Sequence, residues 1–426
     1  MPVVSIPQET IRVEVAFYDE ADRKALLQYP IADTLAKVVA EPIEVSTAEF
    51  LSYYLFHRKR LGTPGYRDYH AIGRQLGIAI SSLDGCIDFN GHSIKTATGV
   101  VEQLPEISEH VGEGIGLCVI GKIHDLTEAD WSPIKVQRGR NAAPSFDFEL
   151  ASDSRNLVQV ENKGSSVVDN QLLDDRIKAQ KRLIAAKKRK LNELGQNQTD
   201  PNPVSLRYGT ITAVDSRSNG NVRCWLTDPP AEVDRDPRSF RLIQRMRFLR
   251  NWISFISPRS HLAVALSTRF ADMEALNDPF ELNGVALRRG NGEPFDFTPQ
   301  PFGEHSPFLA TKSRITDGPA GGVVVQISDE QLFLLGIRDD LVVLASEQNF
   351  DRILTYEAAA SSIEKTVECV ISESRIHGFR LPSLLLEEAR RWAGYVSFRL
   401  SGLMHYSPSG LVFGALELPE DLRLRS

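Results

Sequence analysis

Ser145–Ser165, "SFDFELASDSRNLVQVENKGS", decides how the chain is read. Two alternating stretches flank the polar centre "SDSRN", which is the pattern of a β-hairpin. With "SDSRN" as the loop, Ala151 pairs with Leu157 and Asp147 falls opposite Glu161. Alternation along a strand puts Lys163 on the face of Glu161. Asp147, Glu149, Gln159, Glu161 and Lys163 then share one face, and Phe146, Phe148, Leu150, Val158 and Val160 share the other. Facing carboxylates repel. A divalent cation removes that repulsion, because hard ions such as Mg²⁺ take carboxylate and carbonyl oxygens. Asp147 and Glu161, with the main-chain carbonyls of Val160 and Asn162 nearby, are the candidate ligands. Lys163, one pleat beyond Glu161, is placed to polarise a water and to stabilise charge building on a phosphate. The competing reading is a solvated hairpin face, where Glu161 and Lys163 form a surface ion pair worth under about 1 kcal/mol.

Upstream, "SEHVGEGIGLCVIGKIHDLTEADW" carries Val111, Ile115, Cys118, Val119 and Ile123 as one apolar helical stripe. Its glycines weaken a helix by about 1 kcal/mol each relative to alanine, yet the stripe persists and a helix is expected. "SPIKVQRG" reads as a strand before the hairpin. After it, "VDNQLLDDRIKAQKRLIAAKKRKLNELG" is the strongest helix in the chain, with Asp169 or Asn170 as N-cap and Gly195 as the C′ glycine. "VSLRYGTITAV" and "NVRCWLTD" follow as strands. Residues 106–230 therefore run helix, three strands, helix, two strands.

In these residues the chain resembles the PD-(D/E)xK, or restriction-endonuclease-like, nuclease superfamily. Asp147, thirteen intervening residues and then Glu161-Asn162-Lys163 are similar to its D…(D/E)xK signature, although Phe146 stands where the signature has proline. The resemblance implies an α/β fold (α+β overall) with an αβββαβ core and a mixed central sheet, flanked by N-terminal and C-terminal α+β regions. It implies a metal-dependent nuclease, with DNA as the expected substrate, Mg²⁺ as cofactor and Mn²⁺ as substitute. Asp147 and Glu161, with Asn162, would be metal ligands and Lys163 the catalytic lysine. Glu113 is the candidate for the glutamate that many members supply from the first helix, with Glu109 second. Gln180 stands where some members place a glutamine. A homodimer is implied, as is a context of restriction, repair or antiphage defence. The alternative is a non-catalytic nucleic-acid- or protein-binding module on the same fold, with an unidentified protein partner.

The second helix is strongly basic. Arg176, Lys178, Lys181, Arg182, Lys187 and Lys188 form a candidate phosphate-binding surface or, on the bland reading, a solvated face. "RSFRLIQRMRFLRNW" reads better as a packing helix, because Leu242, Met246, Leu249 and Ile253 need burial.

The flanks give the expected domains. Residues 1–95 hold a strand, "TIRVEVAF", a helix in "STAEFLSYYLFHRKRLG" capped by Ser46 or Thr47, and the turn-rich "SSLDGCIDFNGHS". Residues 96–232 are the nuclease-like domain. Residues 233–426, of unknown role, show two helices, strands in "GGVVVQIS", "QLFLLGI" and "DLVVLAS", a helical stretch over 355–400, and a closing strand "GLVFGALELP". A chain of 426 residues is longer than one core usually serves.

Composition excludes several classes. Four cysteines without a CxxC pair speak against a disulfide framework or zinc site and for a reducing compartment. Nine histidines lack HxH, HExxH or HxxxH spacing. No strand precedes the glycines of "GEGIG" as a dinucleotide loop requires, and there is no Walker lysine or GxSxG elbow. A net charge of −7 leaves nucleic-acid binding to local patches. No signal-peptide pattern and no apolar run near ~20 residues is seen, so no membrane partner and a cytoplasmic location are expected.

Overall fold

The computed structural model describes residues 3–5, 10–57, 69–90, 92–97, 105–133, 149–171, 173–197, 206–215, 222–227, 236–258, 260–276, 278–295, 313–315, 320–376, 379–381, 383–392 and 394–418. The fold is mixed α/β, in two compact units. One comprises Glu9–Tyr54 with Ser82–Gln244, and the other Met1–Gln8, Leu55–Ser81 and Arg245–Ser426. This division differs from 1–95, 96–232 and 233–426: the N-terminal strands belong to the same sheet as the hairpin.

The elements of the first stretch are β1 (Thr10–Phe17), α1 (Glu20–Leu26), α2 (Ala32–Ala40), β2 (Ile43–Ser46), α3 (Thr47–Phe56) and α4 (Tyr69–Cys86). They continue with β3 (Ile87–Asn90), β4 (Ser93–Thr96), α5 (Pro105–His124), β5 (Ser132–Pro133), β6 (Glu149–Ser152) and β7 (Leu157–Val167). Then come α6 (Asp175–Asn197), β8 (Leu206–Asp215), β9 (Val222–Thr227) and α7 (Pro237–Ile256). Among the described residues one sheet has the order β2-β1-β9-β8-β7-β6-β5. β5, β6 and β7 pair antiparallel, whereas β7 pairs parallel with β8. β1 lies parallel to β9, so the "TIRVEVAF" strand extends this sheet. Ser46 caps α3, accepting from the Glu49 N–H at 3.1 Å.

α5 is buried on every side from Val111 to Gly121, so its apolar stripe is only part of its packing surface. Its glycines explain how it sits. A Cβ on Gly112 would lie 2.2 Å from the Gly164 Cα, and one on Gly116 would lie 2.4 Å from the Asn162 Oδ1. The helix backbone therefore rests directly on β7. α6 lies on the opposite face, where Ile177 and Ile184 meet Ile211, Ala213 and Trp225. It begins at Asp175, with the Ile177 N–H donating to the Asp174 side chain at 2.9 Å. Asp169 instead accepts from the Gln171 N–H, a turn and not the expected cap, and Gly195 lies inside the helix.

The hairpin register is one residue from the expected one. Ser152 pairs with Leu157, Ala151 with Val158, Leu150 with Gln159 and Glu149 with Val160. The loop is four residues, not five, because the Asp153 carboxylate accepts both the Arg155 and Asn156 N–H groups while Ser154 takes φ 73°. Leu150 consequently shares the face of Gln159, not that of Val158 and Val160. Asp147, Phe146 and Phe148 lie outside the described residues.

In the second unit are α8 (His261–Ala275), β10 (Ser313–Ile315), β11 (Ala320–Gln326), β12 (Gln331–Arg338), α9 (Asp339–Glu347) and α10 (Phe350–Leu354). β13 (Ser361–Ser372), α11 (Glu373–Ile376), α12 (Ser383–Glu388), β14 (Arg390–Trp392), β15 (Tyr395–Tyr406) and β16 (Leu411–Glu417) complete it. The strand order is β13-β10-β11-β12-β16-β15-β14, and β13 also pairs with β15 along its whole length. β10, β11, β12, β16, β15 and β13 thus close into an antiparallel barrel filled by residues such as Val324, Leu334, Cys369, Phe398 and Met404.

Two expectations fail here. "DLVVLAS" is helix α9, not a strand: Asp339 and Asp340 suit a helix N-terminus, and Gln348 at φ 54° ends it. Residues 361–372 and 395–406 are strands, not helix, since Val367, Cys369 and Ile371 alternate into the barrel and the two strands pair with each other. No described helix is long and apolar enough to cross a membrane.

Candidate functional site

β7 presents Gln159, Glu161 and Lys163 toward α6 and Asn162 and Gly164 toward α5. Glu161 sits in the parallel ladder opposite Gly209 of β8. With no side chain at that position, Ile184 of α6 comes down on the sheet: a Cβ on Gly209 would be 2.9 Å from its Cγ2. Lys187 is three residues on and so on the same helix face. Its Nζ reaches the Glu161 Oε1 at 2.5 Å, and the Lys163 Nζ reaches the same oxygen at 2.8 Å. The Glu161 side chain is fully buried, so these ammonium groups offset the cost of holding its carboxylate away from water. The sequence marks Lys187 only as one of many basic residues; its spacing from Ile177 and Ile184 is the signal that would have singled it out.

Beside Lys163 opens a cleft of ≈ 640 Å³ between β7, the start of α5 and the first half of α6. Glu109, Lys163, Arg176 and Gln180 all line it. Arg176 is anchored by donating from Nη1 to the Ser166 carbonyl at 2.8 Å, and Ser166 Oγ lies 2.5 Å from Ser108 Oγ. The Gln180 Oε1 is shielded from solvent and accepts no hydrogen bond among the described residues. The structure therefore gathers into one place four polar residues from three elements, α5, β7 and α6. Of the two glutamate candidates, Glu109 borders the cleft, whereas Glu113 is buried within α5. Asn162 turns its side chain toward α5 and accepts from Thr210 Oγ1 at 2.6 Å, leaving its main chain in the ladder.

The basic helix divides by function. Lys181 holds the buried Asp22, 2.6 Å from Oδ1, and lies over the Tyr18 ring, so it is part of the packing. Lys178 is exposed beside Asp175 at 3.6 Å, and Arg182 is exposed. The Lys188 side chain lies outside the described residues. Arg241 of α7 pairs with buried Asp130 at 2.9 Å, which makes α7 a packing helix.

Whether the residues suit a divalent ion turns on Glu161. No three carboxylates, histidines or cysteines converge among the described residues, and Asp147 lies outside them. Two ammonium groups nevertheless gather on one buried carboxylate oxygen, bringing the charge of a single Mg²⁺ to a hard oxygen donor. The donor chemistry fits, on condition that a lysine gives way.

At the far end of the hairpin, His124 lies 2.8 Å from Asp153 and 2.9 Å from the Tyr208 hydroxyl. Burial alone would raise the Asp153 carboxyl, but hydrogen bonds from His124 and Asn156 hold it at about 2. This chain of contacts fixes the loop that sets the register of β7. The chain matches no family model, no curated protein and no solved structure.

Proposed function

We propose that the protein is a metal-dependent nuclease of PD-(D/E)xK type that hydrolyses phosphodiester bonds, with DNA as substrate. The observation that carries this reading is the meeting of Lys163 and Lys187 of the basic helix at one buried Glu161 oxygen, with Lys163 also lining a cleft. The chain order α5, β5, β6, β7, α6, β8 supports it, with three antiparallel strands and a fourth parallel to the third. Glu161, with the Asn162 carbonyl, would hold Mg²⁺ or Mn²⁺, and Asp147 is proposed as the second carboxylate on the D…ExK spacing alone, because the observed hairpin register does not carry its facing of Glu161. A bound ion would supply Lewis acidity and a water of lowered pKa. Lys163 stabilises the charge that develops on the phosphate, and Arg176 holds a neighbouring oxygen. Lys187 keeps the Glu161 carboxylate in place from the helix side. Cutting both strands of a duplex would call for two copies, and a homodimer belongs to the same proposal.

The test is cleavage of plasmid and oligonucleotides with Mg²⁺ or Mn²⁺, beside Glu161→Ala, Lys163→Ala and an EDTA control. Metal-dependent cutting that disappears in both variants upholds the reading. Nucleic-acid binding without cutting, at any metal concentration and in wild type and variants alike, replaces it with a non-catalytic binding module.

A further inference from the structure

The cleft beside Lys163 has a second kind of wall. Ala179 and Leu183, one turn apart on α6, line it together with Arg176 and Gln180. Leu183 is 55 % exposed, among the more exposed large apolar side chains described. An exposed leucine alone needs no explanation. Here it shares one face of α6 with Arg176, Ala179 and Gln180, and that face lines the cleft together with Lys163 of β7. Such a surface suits a ligand with an anionic group at one end, a flat apolar body at the other, and a hydrogen-bonding edge between.

A nucleotide has that composition. Its phosphate answers Lys163 and Arg176, its base face answers Ala179 and Leu183, and a polar atom on its base edge answers the Gln180 amide. Size narrows the choice. A volume of ≈ 640 Å³ lies within the roughly 300–1,000 Å³ of small-ligand sites. In a duplex the bases are stacked, so Ala179 and Leu183 would find no base face to meet; only an unstacked base presents its face to a protein. The serine hydroxyls of Ser108 and Ser166 add neutral hydrogen-bonding capacity to the cleft, and among the described residues Glu109 is its one lining carboxylate.

We infer that this cleft binds one unpaired nucleotide, and that the protein acts on single-stranded ends or extruded nucleotides in preference to intact duplex. The preference for a strand to cut rests on the nuclease reading; the nucleotide site does not. The two are separable by working first without metal. Fluorescence anisotropy of the full-length protein in EDTA would compare a short DNA strand, its blunt duplex, and RNA of the same sequence. A single strand, DNA or RNA, should bind at least about tenfold tighter than the duplex, equivalent to about 1.4 kcal/mol. Leu183→Asp should abolish most of that difference, and Gln180→Leu should reduce it several-fold. Because Leu183 is exposed, the variant should fold, which its far-UV dichroism and melting curve would verify. Equal binding of strand and duplex, or a preference untouched by Leu183→Asp and Gln180→Leu, overturns the inference. Single-strand binding without cleavage in Mg²⁺ would uphold the site and sink the nuclease. Cleavage with no single-strand preference would do the reverse.

Discussion

At the scale of residues, the protein turns on one buried carboxylate. Glu161 is held by ammonium groups from its own strand and from the helix above it. A charge-assisted hydrogen bond contributes about 1.5–3 kcal/mol when buried. Lys187→Met should therefore lower the free energy of unfolding by about that amount in urea titrations, at neutral pH. Because Lys163 and Lys187 share one acceptor atom, the double variant should cost more than the two single variants combined. Strict additivity would mean that the two lysines do not share the carboxylate in solution. Little of this was legible beforehand: the Glu161–Lys163 pair follows from alternation alone, but Lys187 is brought to it by the seating of Ile184 opposite Gly209.

At the scale of elements, the contact of α5 with β7 is the tightest constraint on the site. Gly112 meets Gly164 backbone to backbone, and Gly112→Ala should destabilise the protein by more than about 3 kcal/mol or leave it insoluble. Gly85 in α4 is the contrasting case. A Cβ there meets nothing within 4 Å, so Gly85→Ala should raise stability by about 0.5–1 kcal/mol through helix propensity. Thermal melts of the two variants side by side would check both. The sequence shows the glycines of α5 only as a weakness, because their use depends on a strand fifty residues later. Elements with strong local patterns, such as β1, α5, α6, β8 and β9, could be read directly. The hairpin register could not, since it is set by the Asx turn at Asp153 and not by the alternation. β13 and β15 are not legible as strands because the long-range pairing between them that closes the barrel leaves no local signal, whereas their charged residues mimic a helix face.

At the scale of the whole molecule, acid stability should fall in two separate windows. In the barrel unit, burial pushes His405 down to about 4, although its hydrogen bond to the Val4 carbonyl opposes this. The folded state thus prefers the neutral ring. The stability contributed is full above pH ~6.5, declines as pH falls toward 4, and is gone below it; its size is on the order of 3 kcal/mol. In the sheet unit, Asp153 at about 2 contributes stability above pH ~4 that is lost as pH falls toward 2. Denaturant titrations of wild type and His405→Gln between pH 7 and 4 should show a slope in the first and a flatter line in the second. An identical slope in both would exclude His405 as its source. The division into two units was not legible in the sequence, which offers boundaries near 95 and 232 but no sign that residues 55–81 leave one unit for the other. That interleaving has a consequence for biosynthesis. Segments 1–8 and 55–81 belong to a unit whose remaining partners begin at residue 245, and His405 is the residue that takes hold of Val4. At a translation speed of roughly 5–20 residues per second, the earliest segments emerge from the ribosome some tens of seconds before the strands that will bind them. During that wait their apolar side chains must be sheltered by a chaperone or by the half-made protein, and a nascent chain arrested soon after residue 244 should be markedly more sensitive to protease in 55–81 than in β7 and β8.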